Sequence, residues 1–201
     1  MSLILSPENG CRLTNFNRSE SRDDFSRLAC AKCYELLQYV FKDFNLRSEY
    51  NMTNDGYLVS IYNETQILDL NQEKDVNIIK SNLDTLEFKK WNECCNQAKL
   101  CCSNVMSMTH SGLNQTCSAV WDGWSCHKET QAGKLSVVKC PSYIISDDCN
   151  SILDYAYFEC NLEGWYRNEI SNYEWANYSK CLALIIPVNF AILLNLLKKN
   201  S

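Results

Sequence analysis

Glycine and proline are scarce, with six Gly and three Pro in 201 residues, which excludes a collagen-like chain and a Pro/Gly-rich low-complexity one. Histidine is nearly missing: only His110 and His127 occur, and neither stands in the paired His array that zinc sites use. Basic charge is not in excess. Lys and Arg number 19 against 24 Asp and Glu, for a net charge of −5, whereas a nucleic-acid binder carries clustered Lys and Arg. A full membrane-length apolar run is also lacking. The most apolar stretch, Leu182–Leu197, is interrupted by Pro187, Asn189 and Asn195, and as a helix it would span about 24 Å against a ~30 Å hydrocarbon core. Lys198 and Lys199 follow it. Two readings stand: a marginal membrane segment, or a hydrophobic stub. Met1 to Pro7 carry no basic flank and only a short apolar stretch, so no convincing signal peptide is present. The expectation is a chain whose true start lies elsewhere, or a partial or variant product.

What the chain has is cysteine. Thirteen occur: Cys11, Cys30, Cys33, Cys94, Cys95, Cys101, Cys102, Cys117, Cys126, Cys140, Cys149, Cys160 and Cys181. Only Cys30 and Cys33 have C-x2-C spacing, so disulfides are favoured over metal and no metal site is expected. Sequons at Asn17, Asn51, Asn63, Asn114 and Asn177 point the same way, toward a glycoprotein of the secretory route. Five Trp, 11 Tyr and 7 Phe exclude a wholly disordered chain, and the length suits one or two small domains.

Three regions follow from the pattern. Residues 1–80 are polar and unassigned, apart from one helix expected from about Asp24 to Phe44, where Phe25, Leu28, Ala29, Leu36, Leu37, Val40 and Phe41 keep a helical period. Residues 45–80 read as loop or linker because of their Asn, Asp, Ser and Thr content. A second helix is expected over Asp84–Met108, capped by Ser81 or Asn82. On it Cys94 and Cys101, and likewise Cys95 and Cys102, lie seven apart and share a stripe. Such pairs are more than 10 Å apart, so bridges must reach other elements. From Cys117 to Cys181 short strands are expected at Val120–Trp124, Leu135–Lys139 and Tyr155–Cys160, punctuated by Gly and Pro. So small a β-rich module needs disulfides of about 2–4 kcal/mol each. Asp122, set in an aromatic run, is expected to be buried and to require hydrogen bonds. Trp121, Trp124 and Trp175 are too many for such a core to hide, so some should form an exposed binding surface.

Five ordered landmarks carry a resemblance: Trp121-Asp122-Gly123-Trp124-Ser125-Cys126; Ala132-Gly133; Cys140-Pro141-Ser142-Tyr143; Cys160 followed by Gly164; and Trp175-Ala176-Asn177-Tyr178-Ser179-Lys180-Cys181. Together they resemble the extracellular hormone-binding domain of class B (secretin-type) G protein-coupled receptors, in the calcitonin-receptor-like branch. The resemblance covers about half the chain, over 81–181, and leaves 182–201 as the hydrophobic tail. It implies an α+β fold, a small disulfide-rich ectodomain with an N-terminal helix over two short antiparallel β-hairpins. It pairs Cys117 with Cys160 and Cys140 with Cys181, and Cys126 with a helix cysteine, of which Cys101 is favoured. The partners of Cys11, Cys30, Cys33, Cys94, Cys95, Cys102 and Cys149 stay open. It gives Asp122, Pro141 and Gly164 structural roles. It assigns Trp124, Trp175 and Tyr178 to a trough for the C-terminal end of a peptide, and the Ala176 backbone to the peptide's terminal amide.

The sequence departs from the resembled pattern at His127 (usually Trp), Phe158 (usually Arg or Lys), Tyr166 (usually Trp) and Ala176 (often a hydroxyl residue). The implied function is peptide-hormone binding on the extracellular side of the plasma membrane, or in secreted form, in a chain that stops before a seven-helix bundle. The expected partners are an amidated peptide hormone and an accessory single-span membrane protein, with membrane association through the full-length receptor or the tail. No nucleic acid and no cofactor are expected. The alternative is a disulfide-rich secreted or tethered interaction module that binds no hormone. An enzyme is not expected, since neither His lies in a nucleophile or metal motif.

Overall fold

The computed structural model describes residues 10–16, 19–37, 50–53, 56–61, 64–107, 115–145 and 154–182. Ser21 Oγ accepts the Asp24 N–H at 3.2 Å and donates to Asp24 Oδ2 at 2.6 Å. This reciprocal capping starts helix α1 (Arg22–Leu37) two residues earlier than the hydrophobic period indicates. The expected continuation to Phe44 lies outside the described residues.

The reading of residues 45–80 as loop needs correction. Strands β1 (Tyr50–Thr53), β2 (Gly56–Ile61) and β3 (Glu64–Leu68) form an antiparallel meander in that order, and helix α2 (Glu73–Asn82) follows. The polar residues that suggested coil, among them Asn54, Asp55 and Asn63, fall between the strands. The strands themselves carry Tyr57, Val59, Ile61 and Ile67, β-formers whose signal is lost when composition is averaged over the region. In α2, Val76 and Ile79, with Leu83 just past its end, restore a helical repeat and pack into the core.

Leu83 separates α2 from α3 (Thr85–Leu100), and the cap of α3 is Asp84 rather than Ser81 or Asn82, which belong to α2. Asp84 Oδ1 accepts the Leu86 and Glu87 N–H groups at 2.7 and 2.8 Å, while Glu87 Oε2 accepts the Asp84 N–H at 2.9 Å. A cap of this kind is worth about 1 kcal/mol. From Cys101 to Met106 the hydrogen bonds widen to a π-helical pattern. Residues past Cys101 therefore no longer repeat the angular positions of residues seven earlier. Within one stripe the two cysteines take different partners: Cys94 meets Cys33 of α1, whereas Cys101, about 10 Å further along the axis, meets Cys126.

The remaining strands are short. β4 (Thr116–Cys117) pairs with β7 (Thr130–Gln131), and β5 (Val120–Trp121) with β6 (Cys126–His127). β8 (Lys134–Lys139), β9 (Tyr155–Asn161) and β10 (Gly164–Trp165) make an antiparallel sheet with β9 central. Ala156, Phe158 and Cys160 of β9 face inward while Tyr155 and Glu159 face out, the two-residue alternation of a half-buried strand. At the β9–β10 turn Gly164 has φ +124°, a conformation open to glycine and costly for other residues. Pro141 precedes a single 3-10 turn (Ser142–Ile144), and α4 (Ser179–Leu182) closes the described chain.

One core runs through the molecule, joining Leu13, Phe25, Cys30 and Ala29 near the start to Trp91, Trp121, Ile144 and Tyr178. A smaller cluster of Val120, Phe158 and Trp165 lies beside it. Among the described residues no helix is long and apolar enough to cross a membrane, and the tail past Leu182 lies outside them.

Candidate peptide-binding site

The turn between β5 and β6 is organised by Asp122, whose side chain is almost wholly buried. Its Oδ1 accepts the Trp124 and Ser125 N–H groups at 2.8 and 2.7 Å. Its Oδ2 accepts the Tyr178 hydroxyl at 2.7 Å and His127 Nε2–H at 2.9 Å. Burial alone would raise the Asp122 pKa, but attraction to His127 and these hydrogen bonds outweigh it and hold the carboxyl below its usual value. As the ionised carboxylate only accepts, His127 Nε2 carries the proton toward it, and Nδ1 faces Ser136 Oγ at 3.0 Å.

His127 is fully buried and meets the Phe158 ring edge-on with centroids 5.1 Å apart, while Phe158 stacks on Trp165 at 4.4 Å. The departures from the resembled pattern are therefore coordinated. His127 supplies Asp122 with a polar partner, and Phe158 packs a ring against it.

Around this anchor, Trp124 is held on two sides. Its carbonyl accepts the Tyr143 hydroxyl, and its ring meets Tyr178 edge-on at 4.8 Å. Burial, and then the charge of Asp122, push the Tyr178 and Tyr143 pKa values well above the ordinary phenol value, so both hydroxyls stay protonated donors. Trp124 Nε1 is buried and finds no acceptor among the described residues. Trp121 is 1% exposed and belongs to the core, whereas Trp175 is 42% exposed.

The structure thus brings Asp122, Trp124 and Tyr178 into contact, but Trp175 opens elsewhere. Trp124 borders a hollow of about 280 Å³ lined also by Gln97, Val138, Pro141 and Tyr143. Trp175 borders a hollow of about 760 Å³ with Leu135, Tyr157, Tyr166, Asn168 and Asn177. The extended segment Trp175–Tyr178 explains the division: Trp175 and Asn177 are exposed, Tyr178 is buried, and the half-buried Ala176 packs against both core clusters.

Five cross-links hold the frame: Cys11–Cys102, Cys33–Cys94, Cys101–Cys126, Cys117–Cys160 and Cys140–Cys181. Cys30 and Cys95 are free, buried thiols in hydrogen-bonding contact. Cys149 lies outside the described residues, as do the sequon residues Asn17, Asn63 and Asn114. Asn51 is in β1. Asn177 is exposed, and its Oδ1 accepts the Ser179 N–H at 2.9 Å. Among the described residues no group of three metal-binding side chains converges.

Sequence reasoning missed Ser136 and Glu174. Ser136 gives no separate signal, and the expectation that a buried Asp122 needs hydrogen bonds did not name His127 as the donor, which stood only as a departure from the resembled pattern. Glu174 is buried by Arg12 and Asn15, about 160 positions away, a pairing that no local pattern encodes.

Comparison with known proteins matches residues 114–184 to the family described as "Hormone receptor domain". This stretch is a hormone receptor domain of the calcitonin-receptor-like branch. The chain is 38% identical to the calcitonin receptor of Sus scrofa over 76 residues, 37% of this chain and 14% of that one. It is 34% identical to the calcitonin receptor of Homo sapiens over 76 residues, 37% of this chain and 15% of that one. With the calcitonin gene-related peptide type 1 receptor of Xenopus laevis it shares 26% identity over 128 residues, 63% of this chain and 24% of the relative. The chain therefore spans less than a quarter of the length of these curated relatives, all of them named as receptors.

Proposed function

We propose that this hormone receptor domain binds the C-terminal end of an amidated peptide hormone on the extracellular face of a class B receptor, and that it has no catalytic role. The observation that carries the reading is the Asp122 anchor. One buried carboxylate fixes both the Trp124 turn and Tyr178, so two aromatic walls are held before any ligand arrives, and preorganisation lowers the cost of binding. In this reading Trp124, Tyr178 and the Ala176 backbone contact the peptide end, and Trp175 extends the apolar surface outward. An accessory single-span membrane protein and N-glycans at the sequons, Asn177 among them, complete the assembly. A second reading, an interaction module without hormone binding, draws on His127 and Phe158, which stand where the resembled receptors have Trp and a basic residue.

Titration of the oxidised, secreted chain with amidated calcitonin and amidated calcitonin gene-related peptide separates the two. The first reading expects saturable binding, weakened about 30-fold or more by Trp124→Ala, a hot-spot loss of about 2 kcal/mol. Absence of binding to any amidated peptide of this class favours the second.

A further inference from the structure

One short segment outside residues 114–184 reaches into this site. It begins at Gly10, where a Cβ would lie 2.5 Å from Ser19 Cβ, so only glycine allows the approach. Cys11 and Glu20 then exchange both backbone hydrogen bonds at 2.8 Å, and Cys11 is bridged to Cys102. The segment next lies parallel to β5. The Trp121 N–H donates to the Arg12 carbonyl at 3.0 Å, the Thr14 N–H donates to the Trp121 carbonyl at 3.0 Å, and Leu13 between them is buried.

Asn15 turns the chain with φ 66° and locks onto Glu174. Its N–H donates to Glu174 Oε2 at 2.9 Å, and its Oδ1 accepts the Glu174 N–H at 2.6 Å. Arg12 pairs with Glu174 Oε1, and Arg167 lies 3.6 Å from the same oxygen. The Glu174 side chain is only 4% exposed, so its buried oxygens need these hydrogen-bond partners.

We infer that Arg12 and Asn15 are positioning residues for the peptide site. The strap from Gly10 to Phe16 grips Trp121, next to the Asp122 turn, with one set of bonds and Glu174, next to Trp175, with another. It thereby fixes the separation of the two aromatic arms. This rests on the proposed function for its consequence in binding, though not for its geometry. Without the strap, Glu174 keeps a buried carboxylate with Arg167 as its one cation. It then turns toward water and takes Trp175 with it.

The test uses the full oxidised chain with Asn15→Gly, which tolerates the left-handed backbone but lacks Oδ1, together with Arg12→Ala and the conservative Arg12→Lys. Residue-resolved amide hydrogen exchange is the first readout. In Asn15→Gly and Arg12→Ala the Glu174 and Trp175 amides should exchange about tenfold faster, the loss of roughly one buried hydrogen bond. Amides of the β8–β9 ladder should be unchanged, and Arg12→Lys should recover most of the protection. Unaltered exchange at Glu174 and Trp175, or equal acceleration throughout the domain, overturns the inference. The second readout is titration with amidated calcitonin, expected to weaken about tenfold in the same two variants. If the unaltered chain binds neither amidated calcitonin nor amidated calcitonin gene-related peptide, the proposed function fails, while the exchange data still decide whether the strap positions the arm.

Discussion

Asp122 concentrates the energetics of the site in one side chain, because four donors converge on it: two backbone amides, an imidazole and a phenol. Replacing it by Ala leaves all four in a desolvated pocket, and we expect a loss of about 3 kcal/mol or more in urea unfolding at neutral pH. Asp122→Asn should cost less. Its amide oxygen still caps the turn, and His127 can move its proton to Nδ1, accept from the new amide and donate to Ser136. The acid limb distinguishes the two forms of the site. A carboxyl with a depressed folded pKa contributes its full stability above the unfolded value. It loses that contribution as pH falls through the folded value. The unaltered chain should therefore weaken as pH drops below about 4, and Asp122→Asn should show a flatter decline over the same range.

At the scale of elements, α1 and α3 meet through two sulfur contacts. Cys33–Cys94 links the helices, and beside it Cys30 and Cys95 meet as buried thiols. Burial first, and then the neighbouring Cys30 thiol, raise the Cys95 pKa well above its ordinary value, which removes the thiolate that alkylating reagents attack. With iodoacetamide at pH 8, both cysteines should stay unmodified in the folded chain and react promptly in urea. Mass analysis of the labelled peptides would reveal the contrary. The same elements show what local patterns encode. α1 and α3 were legible because Phe25, Ala29, Trp91 and Ala98 repeat at helical spacing. The landmarks from Trp121 to Cys181 marked the receptor-like fold. β1 to β3 were not legible, since their strand residues sit among Asn and Asp that dominate any window average. The pairings Cys11–Cys102 and Cys33–Cys94 were not legible either, because they close over 91 and 61 residues and no local pattern encodes them. Nor was the division of Trp124 and Trp175 between two hollows, which follows from the alternation of a segment with no strand signature.

Across the whole molecule, the buried face of α3, with Trp91, Cys94, Cys95 and Ala98, faces chain that lies well before residue 114. The hormone receptor domain here leans on an N-terminal half that supplies part of its core. A truncated chain beginning at Asp84 would expose that apolar face, and exposed patches of this kind drive association. It should bind a hydrophobic dye and elute as aggregates in size-exclusion chromatography, where the full chain elutes as a discrete species. A monomeric, cooperatively unfolding truncation would show that the N-terminal half is dispensable for packing.

The grip of Arg12 and Asn15 on Glu174 spans about 160 positions, and it gives the polypeptide an order of birth. As the chain is synthesised, the strap emerges about 160 residues before Glu174 and can engage it only once that residue has appeared. Cys11 must likewise wait 91 residues for Cys102. Until then Cys11 lacks the partner it has in the fold, so slow, long-range closure leaves it open to mispairing. The yield of correctly joined protein should depend on enzymes that reshuffle sulfur bonds until the last arm is delivered.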